Sequence, residues 1–291
     1  MKAGTSRAAA WAPVVFVLLW STGFVGAKYG TRDTGALTFL AIRFSAATVI
    51  LGVVACAMKA PRPSRNETRW ILVAGALMQA VYLGGVFIAI GLGLPSGLGA
   101  LITGLHPVIT SIAARRVLDE RLVRVQWIGV GLGFFGVVAV VVDRLLAHTA
   151  GVTGLALLAA AFGVIGISGG TLVQRKKCAH APLVWSTVLQ FASAAVLMLA
   201  ASAIFEHFDV EFTTATVGAL IWAVFVLSIG AVMIMLWLLK HHAAAKVSSL
   251  FFLTPALSTI EGAILFDERL GPLALVGLAV SLTGVALVTA R

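Results

Sequence analysis

The chain has 291 residues, 60% of them hydrophobic and 11% charged, with a mean hydropathy of +1.05 and a formal net charge of +10. A soluble globular domain carries about 25% charged residues, so this chain cannot clothe a water-facing surface and reads as a membrane protein. Its apolar runs are continuous and about 20 residues long, which fits transmembrane helices and excludes the short alternating segments of a β-barrel.

Taken in order, the sequence predicts ten spans, at roughly 11–29, 35–57, 70–91, 95–114, 125–142, 151–172, 182–204, 216–239, 243–265 and 271–289. The connections are short and leave no place for a soluble domain. Lys2 and Arg7 precede the first apolar run, which is too long for the apolar region of a signal peptide and reads as the first helix. Assigning loops alternately puts sixteen Lys and Arg on one side, among them Lys59, Arg62, Arg65, Arg69, Arg175, Lys176 and Lys177. Only four, Lys28, Arg32, Arg144 and Arg269, fall on the other. The positive-inside rule then places both termini on the cytoplasmic face of a cell (inner) membrane. It also accounts for the net charge without a nucleic-acid partner. The outer loop between spans seven and eight is acidic, with Glu206, Asp209 and Glu211. Cys56 and Cys178 make no disulfide framework and fall near the cytoplasmic face, where thiols stay reduced.

The chain also repeats itself. LITGLHPVITSIAARRVLDERL (101–122) aligns with SLFFLTPALSTIEGAILFDERL (249–270) at an offset of 148, setting Pro107 on Pro255 and Asp119-Glu120-Arg121-Leu122 on Asp267-Glu268-Arg269-Leu270. The same offset matches Ile112 with Ile260, Gly129 with Gly277 and Gly136 with Gly284. More weakly, LTFLAIRF (37–44) lies over VWSTVLQF (184–191), pairing Arg43 with Gln190 and Phe44 with Phe191. Such self-similarity marks an internal duplication. Five spans per copy is an odd number, so the second copy starts from the opposite face. The expected fold is all-α integral membrane: ten transmembrane helices as two inverted five-helix repeats, 1–147 and 148–291, with a site at the midplane between them.

Trp20-Ser21-Thr22-Gly23-Phe24 in the first helix, Arg43 in the second, and the proline followed by Asp-Glu-Arg-Leu at the ends of helices four and nine resemble the drug/metabolite transporter superfamily. More narrowly the chain resembles EamA-type members, and within them it looks most like the YddG-type exporters of aromatic amino acids. The resemblance covers nearly the whole chain. It implies export of amino acids by rocking of two halves around a central cavity. That cavity is expected between helices three, four, eight and nine, with parts of one, two, six and seven. The superfamily fold also implies other substrate classes as alternatives: drugs, nucleotide sugars or cationic metabolites.

Polar groups deep in a span are costly and point to interior cavities. Helix four carries Thr103, His106 and Thr110 on one face; the equivalent stripe in helix nine is Phe251, Thr254 and Ser258, followed by Glu261. These stripes line a substrate path, or their hydroxyls bond back to their own helices and His106 is a packed imidazole. Gln79, Tyr82 and Val86 share a face of helix three, as do Ser186, Gln190 and Ser193 in helix seven. The amides of Gln79 and Gln190 can donate to a carboxylate and accept from an ammonium. Trp20, Tyr82, Trp185 and Trp237 can stack on a ring or hold a cation. Trp11, Trp70, Trp127 and Trp222, at span ends, read as interfacial belts. Arg43 either pairs with a substrate carboxylate or ties helix two to a carbonyl or an acid, with Glu261 as one partner to consider. Glu261 is also the candidate for proton coupling.

Pro107 and Pro255 remove a helical hydrogen bond and are the hinge candidates. Gly131 to Gly136 fits G-x-G-x-x-G, but it lies inside a span and reads as close helix packing. Asn66-Glu67-Thr68 fits a glycosylation signal in a loop expected on the cytoplasmic side. No cofactor, metal site or phosphate-binding loop is expected. An intramembrane enzyme would need more than His106 and Glu261. The expected partners are a small-molecule substrate and the lipid bilayer.

Overall fold

The computed structural model describes residues 7–106, 108–110, 113, 123–146, 152–241, 250, 253–267 and 271–289. Pro107, Phe251 and the first Asp-Glu-Arg-Leu lie outside these residues, as do Glu268, Arg269 and Leu270 of the second. The helices are α1 (Arg7–Gly30), α2 (Ala36–Ala57), α3 (Arg65–Gly91), α4 (Ser96–Thr103), α5 (Arg124–Leu146), α6 (Gly154–Lys177) and α7 (Leu183–Phe205). They continue with α8 (Thr214–Ile221, running through a π-helical stretch, Trp222–Ala231, into Val232–His241), α9 (Leu253–Phe266) and α10 (Pro272–Thr289). Among the described residues, α1, α2, α3, α6, α7 and α8 are long and apolar enough to cross a membrane, while α4, α5, α9 and α10 contribute shorter apolar stretches. Apart from an isolated bridge between Thr34 and Val210, the described fold is all-helical.

In lipid every backbone N–H and C=O must find a partner within the segment, which is why these apolar runs become helices. The ends are set by local chemistry. Ser64 and Glu67 form a reciprocal capping box, so α3 starts at Arg65 rather than near 70. That places Asn66-Glu67-Thr68 in the first turn of a helix, which corrects the expected loop. Thr153 and Thr213 cap α6 and α8 through their hydroxyls. Two helices widen in mid-course: α3 is π-helical over Ala76–Val81 and α8 over Trp222–Ala231. Such stretches are rare and concentrate at functional sites.

Two helix pairs form the frame. α5 and α10 pack backbone to backbone: a Cβ on Gly136 would collide with the Ser281 backbone, one on Gly284 with the backbone of Gly133, and one on Gly277 would lie 2.6 Å from the Gly136 carbonyl. α2 packs along α7, where the Phe44 ring stacks on Phe191 at 5.7 Å and the Thr38 and Ser202 hydroxyls share a hydrogen bond of 2.7 Å. In both pairs the contacts ascend one helix as they descend the other, so each pair is antiparallel.

The bundle has one acidic and one basic end. At the acidic end the Glu206 carboxylate caps α2, accepting from the backbone N–H of Leu37 (3.0 Å) and Thr38 (2.7 Å) and from the Thr38 hydroxyl (2.8 Å). Gly35 N–H donates to the Asp209 carbonyl, and the Thr213 hydroxyl to the Asp33 carboxylate. At the basic end the Trp185 indole N–H donates to the Ala60 carbonyl at 3.1 Å, while Arg62 lies 5.5 Å over its ring and Lys177 5.1 Å over Trp70.

Candidate functional site

Arg43, in the eighth position of α2, is a buried cation, only 3% exposed. The α2–α7 stack holds it, and its Nε donates to the Ser228 hydroxyl of the π-helical stretch of α8 at 2.9 Å. One bond leaves most of the guanidinium's five N–H donors to be accounted for by its surroundings. Those surroundings are a cavity of about 30 Å³, room for a water molecule or two. Trp20, Gly23 and Phe24 of α1, Gln79, Tyr82, Val86 and Phe87 of α3, and Leu227 and Val232 of α8 complete its lining.

The π-helical stretch of α3 ends at Val81, so Gln79 lies within it and Tyr82 follows it. Both side chains are buried. The Tyr82 phenol is within hydrogen-bonding reach of Trp20 and Thr103. A second cavity, of about 10 Å³, lies beyond this pair and is lined by Thr103, Gly104, His106, Ile167 and Thr254 together with the same Trp20, Phe24 and Tyr82. The Trp20–Tyr82 pair is therefore the wall between two small chambers.

The arrangement suits a small zwitterion with an apolar side chain. A guanidinium matches a carboxylate in a two-pronged, charge-assisted contact. The Gln79 amide can serve either charged group. The faces of Trp20, Tyr82, Phe24 and Phe87 offer apolar contact and attraction for an ammonium. Among the described residues, no group of three or more His, Cys, Asp or Glu is placed to hold a metal ion.

A model of the EamA-like transporter family matches the chain twice, over residues 7–142 and 154–290. The chain belongs to the EamA-like transporter family. It is 27% identical over 281 residues to a probable amino-acid metabolite efflux pump of Escherichia coli (strain K12), covering 93% of this chain and 91% of that protein. It is 25% identical over 285 residues to a probable terminal-alkyne amino-acid exporter of Streptantibioticus cattleyicolor, covering 97% and 94%. An uncharacterized transporter of Bacillus subtilis (strain 168) is 26% identical over 281 residues, covering 94% and 89%. A crystal structure 20% identical in sequence superposes with a TM-score of 0.64 over 97% of this chain and 96% of the other, which supports the fold alone. The EamA-like chain is thus a multi-pass membrane transporter.

The other residues singled out by sequence fall into separate places in this EamA-like bundle. Thr103 lines the smaller chamber, yet its hydroxyl also bonds back to the Gly99 and Ala100 carbonyls, both at 3.0 Å. The Ser168 hydroxyl of α6 donates to the His106 carbonyl at 3.3 Å. Thr110 and Thr254 are buried with hydroxyls that find no partner among the described residues. Gln190 is fully buried and donates to the Gln174 side chain at 3.1 Å, away from both chambers. Trp185 is anchored at the basic end, and Trp237 packs half-buried against the main apolar core. Ser258 donates to the Ser21 carbonyl at 3.0 Å. Glu261 accepts from the Ser21 hydroxyl at 2.6 Å, and its other oxygen is buried without a partner. Arg43 and Glu261 thus face serines on different helices and do not pair. Pro255 sits against Gly104, where a Cβ would lie 2.9 Å from the proline ring.

Ser228, Leu227, Phe24 and Phe87 were not singled out as site residues from sequence. Ser228 and Leu227 lie in a continuous apolar run with no periodic signal. Of the four, Phe24 alone falls within the Trp20-Ser21-Thr22-Gly23-Phe24 motif.

Proposed function

We propose that the protein is a secondary transporter or facilitator that exports amino acids by alternating access, with Arg43 receiving the substrate carboxylate. The observation that carries this reading is the buried guanidinium beside Gln79 and Tyr82 in a chamber walled by aromatic rings, in mid-span. Two relatives, one named as a probable amino-acid metabolite efflux pump and one as a probable terminal-alkyne amino-acid exporter, support the substrate class and the direction. The chamber's volume of about 30 Å³ is well below the roughly 300 Å³ from which ligand pockets start. The conformation is therefore a closed one, and the halves must part for substrate to enter.

The halves are two inverted five-helix repeats, 1–147 and 148–291, making ten spans. Three features support this. The family model matches in two consecutive segments. Residues of the repeat meet across antiparallel pairs: Phe44 stacks on its equivalent Phe191, Gly136 meets Gly277, and Gly284 meets the Gly129–Gly133 turn. The last two contacts exchange under the offset of 148, as a pseudo-two-fold axis requires. The π-helical stretches of α3 and α8 also fall at equivalent positions. Both termini are assigned to the basic, cytoplasmic side by the positive-inside rule, which puts the Glu206 corner outside. The halves rock about the central cavity, with Pro107 and Pro255 as the hinge candidates of helices four and nine.

Counterflow tests the reading. Proteoliposomes preloaded with unlabelled amino acid take up the labelled one with saturable kinetics. Absence of saturable uptake for every amino acid overturns it.

A further inference from the structure

The largest cavity among those described is not the Arg43 chamber. It is a groove of about 310 Å³ between α1 and α8, lined by Thr22, Gly26 and Tyr29 on one side and by Thr214, Gly218 and Trp222 on the other. That volume falls at the lower end of ligand pockets, roughly 300–1,000 Å³. The chamber and the groove sit on either side of one side chain. Leu227, 4% exposed, lines the chamber, and its Cδ1 lies 3.9 Å from where Gly23 would carry a Cβ and 3.7 Å from the same point on Gly26. Gly23 belongs to the chamber and Gly26 to the groove. The groove is braced by the Trp222 indole N–H, which donates to the Thr22 hydroxyl at 2.9 Å.

We infer that this groove is the second station of the transported substrate, the branch of the path between the Arg43 chamber and the acidic side of the membrane, with Leu227 as its plug. This rests on the export reading above. One element carries the whole device. The π-helical stretch Trp222–Ala231 holds Trp222 in the groove, Leu227 at the plug and Ser228 on Arg43. A π-helical stretch passes into the α-form by shedding one residue from its turn, and that shift moves all three side chains together. A carboxylate that takes the Arg43 guanidinium from Ser228 releases the stretch at the same step that fills the chamber. The indole N–H and the Thr22 hydroxyl are already given to Thr22 and the Leu19 carbonyl, which leaves the Tyr29 and Thr214 hydroxyls as the groove's other polar groups, and its continuity with the chamber through Leu227 is what assigns it to the substrate path.

The test places a bulky or charged group in the groove without touching its backbone. Gly218 serves, because a Cβ there meets nothing within 4 Å. In Gly218→Trp, counterflow of labelled amino acid is expected to fall at least tenfold while the half-saturation of substrate binding to the detergent-solubilised protein stays within twofold. Unchanged counterflow overturns the inference and leaves the export reading standing. In Gly218→Cys with Cys56→Ser and Cys178→Ser, a charged methanethiosulfonate is expected to label the position, to stop counterflow, and to be slowed by saturating substrate. Labelling only by a membrane-dissolved phenylmaleimide, with transport intact, makes the groove a lipid seat and overturns it as well. Should wild-type protein show no counterflow for any amino acid, the export reading fails. Labelling by the charged reagent then still decides whether the groove is an aqueous branch.

Discussion

The α5–α10 seam and the α3–α8 chamber are built on opposite principles from the same apolar alphabet. At the seam, glycines let two backbones approach closely, and dispersion between close-packed helices holds them. Around the chamber, two helices are loosened into π-helical stretches and the contacts are single hydrogen bonds, such as Arg43 to Ser228. Motion is confined to the loosened helices. Packed backbones admit one arrangement. A widened turn held by individual polar contacts has a second arrangement within reach.

The sharpest way to break the contrast is to put a side chain into the seam. Gly284→Leu drives a side chain into the Gly133 backbone, and we expect loss of about 3 kcal/mol or more, the upper range of overpacking. The readout is a lost monodisperse peak on size exclusion. Gly131→Leu, on the same α5 at a point where a Cβ meets nothing within 4 Å, leaves the peak unchanged. Equal damage from both removes the distinction between seam and surface.

At the chamber the expected effect is on transport rather than folding. Arg43→Ala lowers counterflow about 100-fold, matching the 2–5 kcal/mol typical of truncating one partner of a buried, hydrogen-bonded charge pair. Ser228→Ala, which removes only one hydrogen bond to a charged group, lowers it about tenfold. Both variants elute as wild type. Aggregation of Arg43→Ala instead would make Arg43 a structural tie.

A smaller effect is expected at the acidic corner. A Cβ on Gly35 would occupy the place of the Glu206 carboxylate. Gly35→Ala therefore uncaps α2 and costs about 0.5–2 kcal/mol, the range for losing a helix cap, read as a lower unfolding temperature. The smallest is chemical and tests the basic end. Cys56 is exposed, whereas burial pushes the Cys178 thiol up to about 11, so thiolate is scarce there at pH 8. Maleimide at pH 8 is expected to modify Cys56 and spare Cys178. Equal rates would contradict the packing of Ile71, Cys178 and Ala181.

The frame was legible because it depends on patterns that sequence carries directly. Continuous apolar runs gave helices, and the 148 offset singled out Gly136, Gly277 and Gly284, which the structure then brings together at one seam. The site was legible only in part. Trp20, Arg43, Gln79 and Tyr82 stand out as polar or amphipathic groups in apolar helices, and they share one chamber. Ser228 and Leu227 do not stand out, because which face of α8 meets Arg43 depends on a π-helical stretch that no 3.6-residue period reveals. Thr103 and His106, in the stretch 101–122, line the smaller chamber, beyond the Trp20–Tyr82 wall. Gln190 pairs with Arg43 in the repeat but binds Gln174, since the two copies keep geometry and diverge in chemistry.

Recognition of a substrate carboxylate by Arg43 is read out by competition counterflow. Unlabelled amino acids are expected to compete with the labelled one in wild-type proteoliposomes, while their methyl esters, which lack the carboxylate, do not. In Arg43→Ala the residual flux is expected to lose that preference. Esters that compete as well as the free acids in wild-type protein would contradict the account.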